Sequence, residues 1–189
     1  MDELSQQDTV RAAVAASWER CRKNGMDSNQ KPAPVRLTGK ELESGLKSSL
    51  SMARVARPFM DRIASFVSSG WPVFLGDSKG CVVSATGESG QSPISTATLE
   101  IGTLWSEQHQ GTNAISLVID EKKPCQVIGH EHYLKAYHHL AGAAAPIFSP
   151  ERIFLGILGI VGPKDAFHVH TLGMVVASAA AIENQLELE

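Results

Sequence analysis

The residues with the clearest chemical potential lie in one stretch, where a Gly-Thr-Asn turn at 111–113 precedes an apolar helical run. A helix that begins at Thr112 or Asn113 would direct unpaired backbone N–H groups toward the space before it. Trp105 and His109 lie just upstream and would add an aromatic wall and an imidazole that titrates near neutral pH. This arrangement predicts recognition of one small polar or anionic ligand. The alternative is structural: Thr112 or Asn113 caps the helix and Trp105 packs in the core.

Six of the seven histidines fall into close pairs, at positions 130 and 132, 138 and 139, and 168 and 170. A spacing of two on a strand places both imidazoles on one face, where they could bind a metal. The positions of the nearby carboxylates do not require such a site. We therefore interpret His130, His132 and His138 as loop anchors or hydrogen-bonding groups for a ligand, with protonation near neutral pH as a switch. Neither a metal nor a cofactor is expected.

The three cysteines, Cys21, Cys81 and Cys125, are far apart and odd in number, which favours reduced thiols over a disulfide framework. Cys81 and Cys125 lie in apolar strand patterns, where a cysteine is usually a small buried hydrophobe. The sequence also contains no Gly-x-Ser-x-Gly elbow and no His-Glu-x-x-His pair. We therefore do not expect an enzyme.

The composition is that of an ordinary soluble globular protein, with 43% hydrophobic and 20% charged residues and no apolar run long enough to cross a bilayer. Residues 1–5 lack the basic and apolar regions of a secretion signal, so a cytoplasmic location is expected. The formal net charge of -3 argues against direct binding of nucleic acid, because such surfaces carry a basic excess. A chain of 189 residues predicts one domain with a short N-terminal extension.

Residues 5–24 predict a helix, because Val10, Val14 and Trp18 recur at helical spacing. The polar stretch at 27–34 carries two prolines and predicts a linker. This first helix either docks on a partner or second copy, or packs on its own domain; the pattern does not decide between them.

A second helical series starts at Thr38, which has the spacing of a capping box. Pro58 falls inside this series, so we expect a kink or break near Arg57 before the helix continues to about Ser69. The 3,4 spacing of apolar residues is compatible with a coiled-coil seam or a core face. The core face is favoured because few heptads are sustained.

The middle of the chain predicts an antiparallel sheet. Residues 71–77 and 80–85 form a hairpin across a four-residue turn, followed by a flexible loop at 87–93. A helix at about Asn113–Glu121 comes next. Three further strand candidates follow, at Pro124–Ile128, Gly142–Phe148 and Phe154–Val161. A long histidine-rich connection, Gly129–Leu140, joins the first two of these.

From Thr171 a final helix is predicted to run to the C-terminus. Its apolar stripe has 3,4 spacing and consists of Leu172, Val175, Ala179, Ile182 and Leu186. Because the stripe continues after the sheet is complete, this helix can leave the domain.

Several segments in this order resemble the GAF-type sensor domain of sigma-54-dependent transcriptional activators, in particular the acetoin-catabolism and the glycerol or dihydroxyacetone regulators. The segments are Trp105–Ile115, Gly129–Tyr133, Ala144–Ile147 and His170–Gly173, within a likeness that extends from Ser17–Cys21 to Ile182–Leu186. The resemblance implies an α+β fold of GAF type, with a central antiparallel β-sheet flanked by helices. It divides the chain into an N-terminal helical extension and linker at 1–49 and a sensor domain at 50–189 that ends in an output helix.

The resemblance also implies a function: a cytoplasmic domain that binds a small metabolite and relays the signal through its C-terminal helix to a AAA+ ATPase. No Gly-x-x-x-x-Gly-Lys-Ser/Thr loop occurs in this sequence. We therefore expect the ATPase and DNA-binding domains to lie outside this chain. A homodimer through the helices is expected, with no membrane contact.

The expected pocket combines four wall residues with five polar contacts. The walls are Phe74, Trp105, Ile115 and Tyr133, and the polar contacts are His109, Thr112, Asn113, His130 and His138. Three departures from the family pattern bear on the ligand: Ser116 replaces a glycine, Gly142-Ala143 replaces a Cys-Ser pair, and residues 149–152 replace an Asp-and-Gly turn. Acetoin or a polyol is therefore an expectation of ligand class only.

Two other functions remain open. A GAF domain without a small ligand docks a partner protein, as the resembled dihydroxyacetone regulators do with kinase subunits, and the connection from His130 to His139 is long enough for a docking surface. One GAF subfamily reduces methionine sulfoxide with cysteine nucleophiles, which requires an exposed thiolate. A closed apolar pocket favours metabolite sensing, an exposed apolar patch favours a protein partner, and a reactive Cys81 or Cys125 favours catalysis.

Overall fold

A computed structural model describes residues 3–67, 71–86 and 99–188, with the side chains of the first helix described from Ala12 onward. Within these residues, five strands form one antiparallel sheet in the order β2-β1-β5-β4-β3. The strands are β1 (Val73–Asp77), β2 (Val82–Thr86), β3 (Cys125–Ile128), β4 (Leu140–Phe148) and β5 (Phe154–Pro163). The α-helices are α1 (Glu3–Lys23), α2 (Gly39–Ser48), α3 (Leu50–Phe66), α4 (Glu107–Gln110), α5 (Ala114–Glu121) and α6 (Thr171–Glu187).

The predicted hairpin is confirmed as β1 and β2, and the three later strands and the final helix are confirmed as β3, β4, β5 and α6. The hairpin turn is closed by Asp77, whose Oδ1 accepts hydrogen bonds from the backbone N–H groups of Lys79 and Cys81 at 2.8 and 2.9 Å. Gly80 ends the turn with a φ of +83°, which a side chain would disfavour. The predicted loop at 87–93, the predicted helix end near Ser69 and the side chain of Val10 lie outside the described residues.

Of the kink or break predicted near Arg57, the break is wrong. The chain breaks instead at Ser49, between α2 and α3, and α3 continues through Pro58. Pro58 is exposed, so its missing N–H removes one helical hydrogen bond at a surface that water reaches. Met52 and Met60, which are buried before and after the proline, hold both halves of the helix on the sheet.

One face of the sheet is covered by α3 and α6. Val175, Ala179 and Ile182 of α6 are buried there, and Glu183 Oε1 accepts a hydrogen bond from the Phe148 backbone N–H at 2.8 Å. The apolar face of α3 is therefore a core face, as the sequence favoured. The α6 stripe, from which we predicted that this helix can leave the domain, packs on the sheet through its central residues. A bundle between two copies would have to use the opposite helix faces.

The other face of the sheet is covered by α5 and by the second half of α1. Ala13, Val14 and Cys21 of α1 are buried in the same core as Phe74 and Ile115. The first helix thus packs on its own domain, which is one of the two arrangements that the sequence left open.

Candidate functional site

The Gly-Thr-Asn turn is folded so that the protein caps its own helix. Asn113 Oδ1 accepts a hydrogen bond from the Ser116 backbone N–H at 3.0 Å, and the Asn113 backbone N–H donates to Ser116 Oγ at 3.0 Å. This reciprocal pair is a capping box. Ser116, which replaces the glycine of the resembled relatives, thus completes the cap of α5.

The remaining hydrogen bonds of Asn113 also go to the protein. Its Nδ2 donates to the carbonyl oxygens of Trp105 at 3.0 Å and Gly111 at 2.8 Å. Gly111 adopts a φ of +66°, and a Cβ there would lie 3.1 Å from the Cβ of Tyr133. The turn is therefore a tightly bonded structural element, and the side chain of Asn113 is engaged on every side.

Substitutions at Asn113 are expected to separate its two structural roles. Asn113→Ala is expected to lower the free energy of unfolding by about 1–2 kcal/mol, because it removes the cap and leaves buried carbonyl groups of Trp105 and Gly111 without this donor. Asn113→Ser keeps a capping oxygen but not the amide donor, so it should recover only part of the loss. Urea titrations of the two variants measure this order, and equal stabilities would contradict it.

A polar network joins α1 to this turn. Thr112 Oγ1 lies 2.7 Å from Ser17 Oγ, and Ser17 Oγ donates to Glu107 Oε2. Arg20 forks onto the same carboxylate, with Nε 2.9 Å from Oε1 and Nη2 2.7 Å from Oε2, and Nη2 also bonds Asp120 Oδ2 at 2.6 Å. The hydrogen bond to Glu107 raises the pKa of Arg20. Two segments of the family resemblance, at 17–21 and 105–115, therefore hold each other in place.

Glu107 is the centre of this network, and its replacement is expected to loosen α1. Its side chain is 13% exposed and that of Arg20 is 41% exposed, so the ion pair is partly screened by solvent. Glu107→Ala should lower the free energy of unfolding by about 2 kcal/mol and speed amide exchange in α1. Glu19→Ala, which removes only the exposed pair with Lys23, is the control and should change stability by less than about 0.5 kcal/mol. Equal effects of the two substitutions would contradict the role given to Glu107.

The histidine-rich connection between β3 and β4 is irregular, as expected, so the spacing of His130 and His132 does not place both imidazoles on one face. The segment forms single 3-10 turns at Gly129–Glu131 and Lys135–Tyr137, so His130 is exposed and His132 is buried. His130 instead lies beside His138, with ring centroids 4.4 Å apart. Within residues 3–67, 71–86 and 99–188, no three histidine, cysteine or carboxylate side chains are placed to hold a metal ion.

Burial favours the neutral form of three histidines, His109, His132 and His138. It lowers the pKa of His132 to about 4, and His132 Nδ1 lies 3.0 Å from the Gly129 carbonyl oxygen. Burial also lowers the pKa values of His109 and His138. His109 Nδ1 lies 2.7 Å from Ser106 Oγ, and His138 Nε2 donates to the His132 carbonyl oxygen at 3.1 Å. These imidazoles therefore act as neutral hydrogen-bonding groups near pH 7.

The four predicted wall residues, Phe74, Trp105, Ile115 and Tyr133, come together in the core between α5 and the sheet. The Trp105 ring lies 5.7 Å from that of Tyr137, which the sequence analysis did not single out. Tyr133 donates its hydroxyl hydrogen to the Met26 carbonyl oxygen at 2.9 Å. The four walls thus belong to one buried cluster, which we call the aromatic layer. The turn adjoins it, because the Tyr133 backbone N–H donates to the Thr112 carbonyl oxygen and Asn113 Nδ2 donates to the Trp105 carbonyl oxygen.

Two of the three predicted histidine contacts, His109 and His130, line surface grooves. His109 lines a surface groove of about 1310 Å³ between α2, α4, α5 and the β1–β2 turn. His130 lines a second groove of about 520 Å³ beside Trp18 and Lys164. None of the four wall residues lines either groove. The nine predicted residues therefore divide among one buried layer, its hydrogen-bonded edge and the molecular surface.

All three cysteines are free and buried. Burial raises the pKa of Cys81 to about 11 and that of Cys125 to about 12, and it also raises the pKa of Cys21. A thiol with such a pKa holds very little thiolate near neutral pH, which makes it a poor nucleophile.

Comparison with known proteins places this geometry in a family. The family model described as MimR, N-terminal domain matches residues 3–186. The chain belongs to this family. The chain is 28% identical over 179 residues to the acetoin dehydrogenase operon transcriptional activator AcoR of Bacillus subtilis, which covers 94% of this chain and 30% of that protein. It is 27% identical over 185 residues to a signal-transduction and transcriptional-control protein of Clostridium beijerinckii, which covers 96% of this chain and 29% of that protein.

Among solved structures, the chain is similar to the DhaR(N) part of the E. coli DhaR(N)-DhaL complex. The TM-score is 0.86 at 22% identity, covering 93% of this chain and 60% of that chain. Pseudomonas aeruginosa HmgR gives a TM-score of 0.55 at 13% identity, covering 98% of this chain and 85% of that chain. These likenesses confirm the predicted α+β, GAF-like fold.

The family assignment confirms the resemblance to sensor domains of acetoin-activator and dihydroxyacetone-regulator type. The two curated relatives are transcriptional regulators, which agrees with the expectation of a regulatory domain. The chain spans about three tenths of the length of the two curated relatives. In the described part of the chain, no helix has both the length and the apolarity that a bilayer crossing requires.

Proposed function

We propose that this domain senses a small metabolite in the aromatic layer between α5 and the sheet, and that it relays the signal through α6. The main support for the proposal is the position of strand β4, which lies between the aromatic layer and α6. Ala144 faces the layer that contains Trp105 and Ile115, while Ala143 faces the core that contains Val175 and Ile182. Because α5 and α6 both pack on β4, a displacement on one side of the strand is felt on the other.

The layer favours an uncharged ligand. Phe74, Trp105 and Ile115 are apolar and buried, and the low pKa of His132 keeps this neighbour of Tyr137 neutral near pH 7. A charged ligand would lose its hydration there without a counter-charge of its own. A small ketone or diol of the acetoin and polyol class satisfies these conditions.

The relay extends to the whole regulator. We infer that α6 continues the signal to a AAA+ ATPase that drives the sigma-54 polymerase, in a cytoplasmic homodimer. The ion-pair network through Glu107 would give α1 a share in the relay, since it ties that helix to the same turn. Ligand binding can shift this output only if its affinity differs between two helix arrangements.

Calorimetric titration with 3-hydroxy-2-butanone, 2,3-butanediol, glycerol and lactate tests the proposal. Ala144→Val adds two methyl groups to the aromatic layer, and Ala143→Val adds them to the opposite face of the same strand, as a matched control. We expect an uncharged compound to bind at least about tenfold more weakly to Ala144→Val, with little change for Ala143→Val. The assignment of the layer is contradicted if the two variants bind alike or if His109→Ala in the surface groove abolishes binding.

A protein partner is the second candidate, and the E. coli DhaR(N)-DhaL complex favours it, since that similar domain was solved with another protein. The groove of about 1310 Å³ offers a surface for such a partner, with both cationic and anionic side chains on its walls. If none of the four compounds binds while the fold is intact, this candidate replaces the metabolite.

A further inference from the structure

Gln110 is the last residue of α4, directly before the Gly-Thr-Asn turn. Its side chain is 1% exposed, yet it carries two strong hydrogen-bonding groups. Its Oε1 accepts a hydrogen bond from the Tyr137 hydroxyl at 2.6 Å. Its Nε2 has no hydrogen-bond partner among the described residues, and no other buried side-chain nitrogen or oxygen there shares this condition.

An unpaired donor at this place is unusual. Buried amides are almost always satisfied, because an unsatisfied donor keeps the full penalty of its lost hydration. The neighbouring polar side chains are satisfied: Asn113 bonds three backbone groups and Thr112 bonds Ser17. The unpaired donor is therefore a feature of Gln110 alone among these neighbours, and the polar side chains around it are well bonded.

The surroundings of Gln110 indicate which kind of hydrogen-bond acceptor its Nε2 could bind. Tyr137 holds the amide by its oxygen and packs against the rings of Trp105 and His132, with centroids 5.7 and 6.1 Å away. Burial raises the pKa of Tyr137, so its hydroxyl stays protonated and continues to donate. Arg20 and Glu107, the nearby charged residues of the network, bond each other.

We propose that Gln110 is the polar anchor of the metabolite site, and that its Nε2 donates a hydrogen bond to a carbonyl or hydroxyl oxygen of a small uncharged ligand. This inference rests on the proposed sensing function and adds the residue that recognises the ligand. The aromatic layer would hold the apolar part of the ligand, and the amide would select for one oxygen and against a hydrocarbon of the same size.

The test uses the full chain and 3-hydroxy-2-butanone, 2-butanone and cyclopentane as probes. The variant Gln110→Met removes the donor with little change of volume, and the double variant Gln110→Met/Tyr137→Phe also removes the hydroxyl that would lose its acceptor, which preserves the fold. Gln108→Leu is the matched control, because Gln108 is an exposed glutamine of the same short helix and lines the surface groove.

We expect the wild type and Gln108→Leu to bind the two oxygen-containing probes at least about tenfold more tightly than both Gln110 variants do. The affinity for cyclopentane should be the same in all four proteins. If the wild type binds the probes and the Gln110 variants bind them equally well, the anchor is wrong while the sensing function stands. If Gln108→Leu alone weakens binding, the ligand lies in the surface groove and the anchor is wrong. If the wild type binds none of the probes, the anchor is overturned together with the proposed sensing of this class of metabolite.

Discussion

Replacement of Gly159 by alanine is expected to lower the free energy of unfolding by about 3 kcal/mol. Gly159 of β5 pairs with Phe74 of β1 and with Ala144 of β4. A Cβ at Gly159 would lie 2.2 Å from Phe74 Cζ, inside the aromatic ring's contact distance. Phe74 is fully buried, so its ring cannot move without displacing the rest of the aromatic layer.

Two further variants make this prediction specific. Gly173→Ala introduces the same methyl group in α6, where nothing lies within 4 Å of the added Cβ, and should raise stability by about 0.5–1 kcal/mol. Phe74→Leu should partly rescue Gly159→Ala, with a coupling of about 1–3 kcal/mol in a double-mutant cycle. Additive effects in that cycle would show that the ring does not lie over Gly159.

His132 is expected to make the fold acid-sensitive by about 3 kcal/mol. Its pKa is about 4 in the folded chain, against an ordinary value of 6.5. The unfolded chain thus takes up this proton at a higher pH, so protons favour unfolding. The contribution is complete above pH 6.5 and is lost as the pH falls from 6.5 to 4, with about 1.4 kcal/mol for each pKa unit.

Urea titrations between pH 7.5 and 4 measure this contribution as the difference between the wild type and His132→Asn. The asparagine amide retains a donor for the Gly129 carbonyl oxygen but does not titrate. The difference should shrink or reverse toward pH 4, because the wild type loses the contribution of its neutral imidazole there. A constant difference for His132→Asn would show that this imidazole is not buried in its neutral form.

Residue spacing predicted the elements because their apolar periods are long and uninterrupted. The apolar runs in residues 71–77 and 80–85 indicate strands, and β1 is buried on both faces of the sheet. The stripe on α6 indicates one buried face, and its central residues are buried against the sheet. Pro58 led to the prediction of a break because the effect of a proline depends on whether it lies on the exposed or the buried side of the helix. On the exposed side of α3 it removes a hydrogen bond without removing a core contact, and the spacing of residues does not report that difference.

That a ligand binds beside the Trp105–Ile115 stretch stays a prediction, and the contacts that its residues make could be predicted only in part from the sequence. The Trp105–Ile115 stretch does lie at the edge of the aromatic layer. However, sequence spacing could not reveal that Glu107 and Arg20, 87 positions apart, share an ion pair, or that Thr112 bonds Ser17. Both pairings depend on the packing of α1, which the sequence left open. The segments at 17–21 and 105–115 carried the family resemblance, and that resemblance was the available signal for these residues.

The role of Gln110 was even harder to predict from the sequence. This residue lies between His109, which belongs to the predicted pocket, and the Gly-Thr-Asn turn, and nothing in its residue type distinguishes it from the exposed Gln108. Gln110 is buried and contacts Tyr137 because the end of α4 meets the 3-10 turn at Lys135–Tyr137. A missing hydrogen bond is a property of the folded interior, so only the three-dimensional structure reveals it.

Amide hydrogen exchange of the full chain, with and without the tightest-binding compound of the calorimetric panel, tests most directly whether an interior ligand is felt by α6. Exchange rates report the local opening free energy of each segment. On ligand binding we expect slower amide exchange in two separate places. One is the Gly-Thr-Asn turn with α5 on one side of β4, and the other is α6 on the opposite side. Slower exchange confined to α2 and the β1–β2 turn, which line the surface groove, or unchanged exchange in α6 at full occupancy, would contradict this expectation.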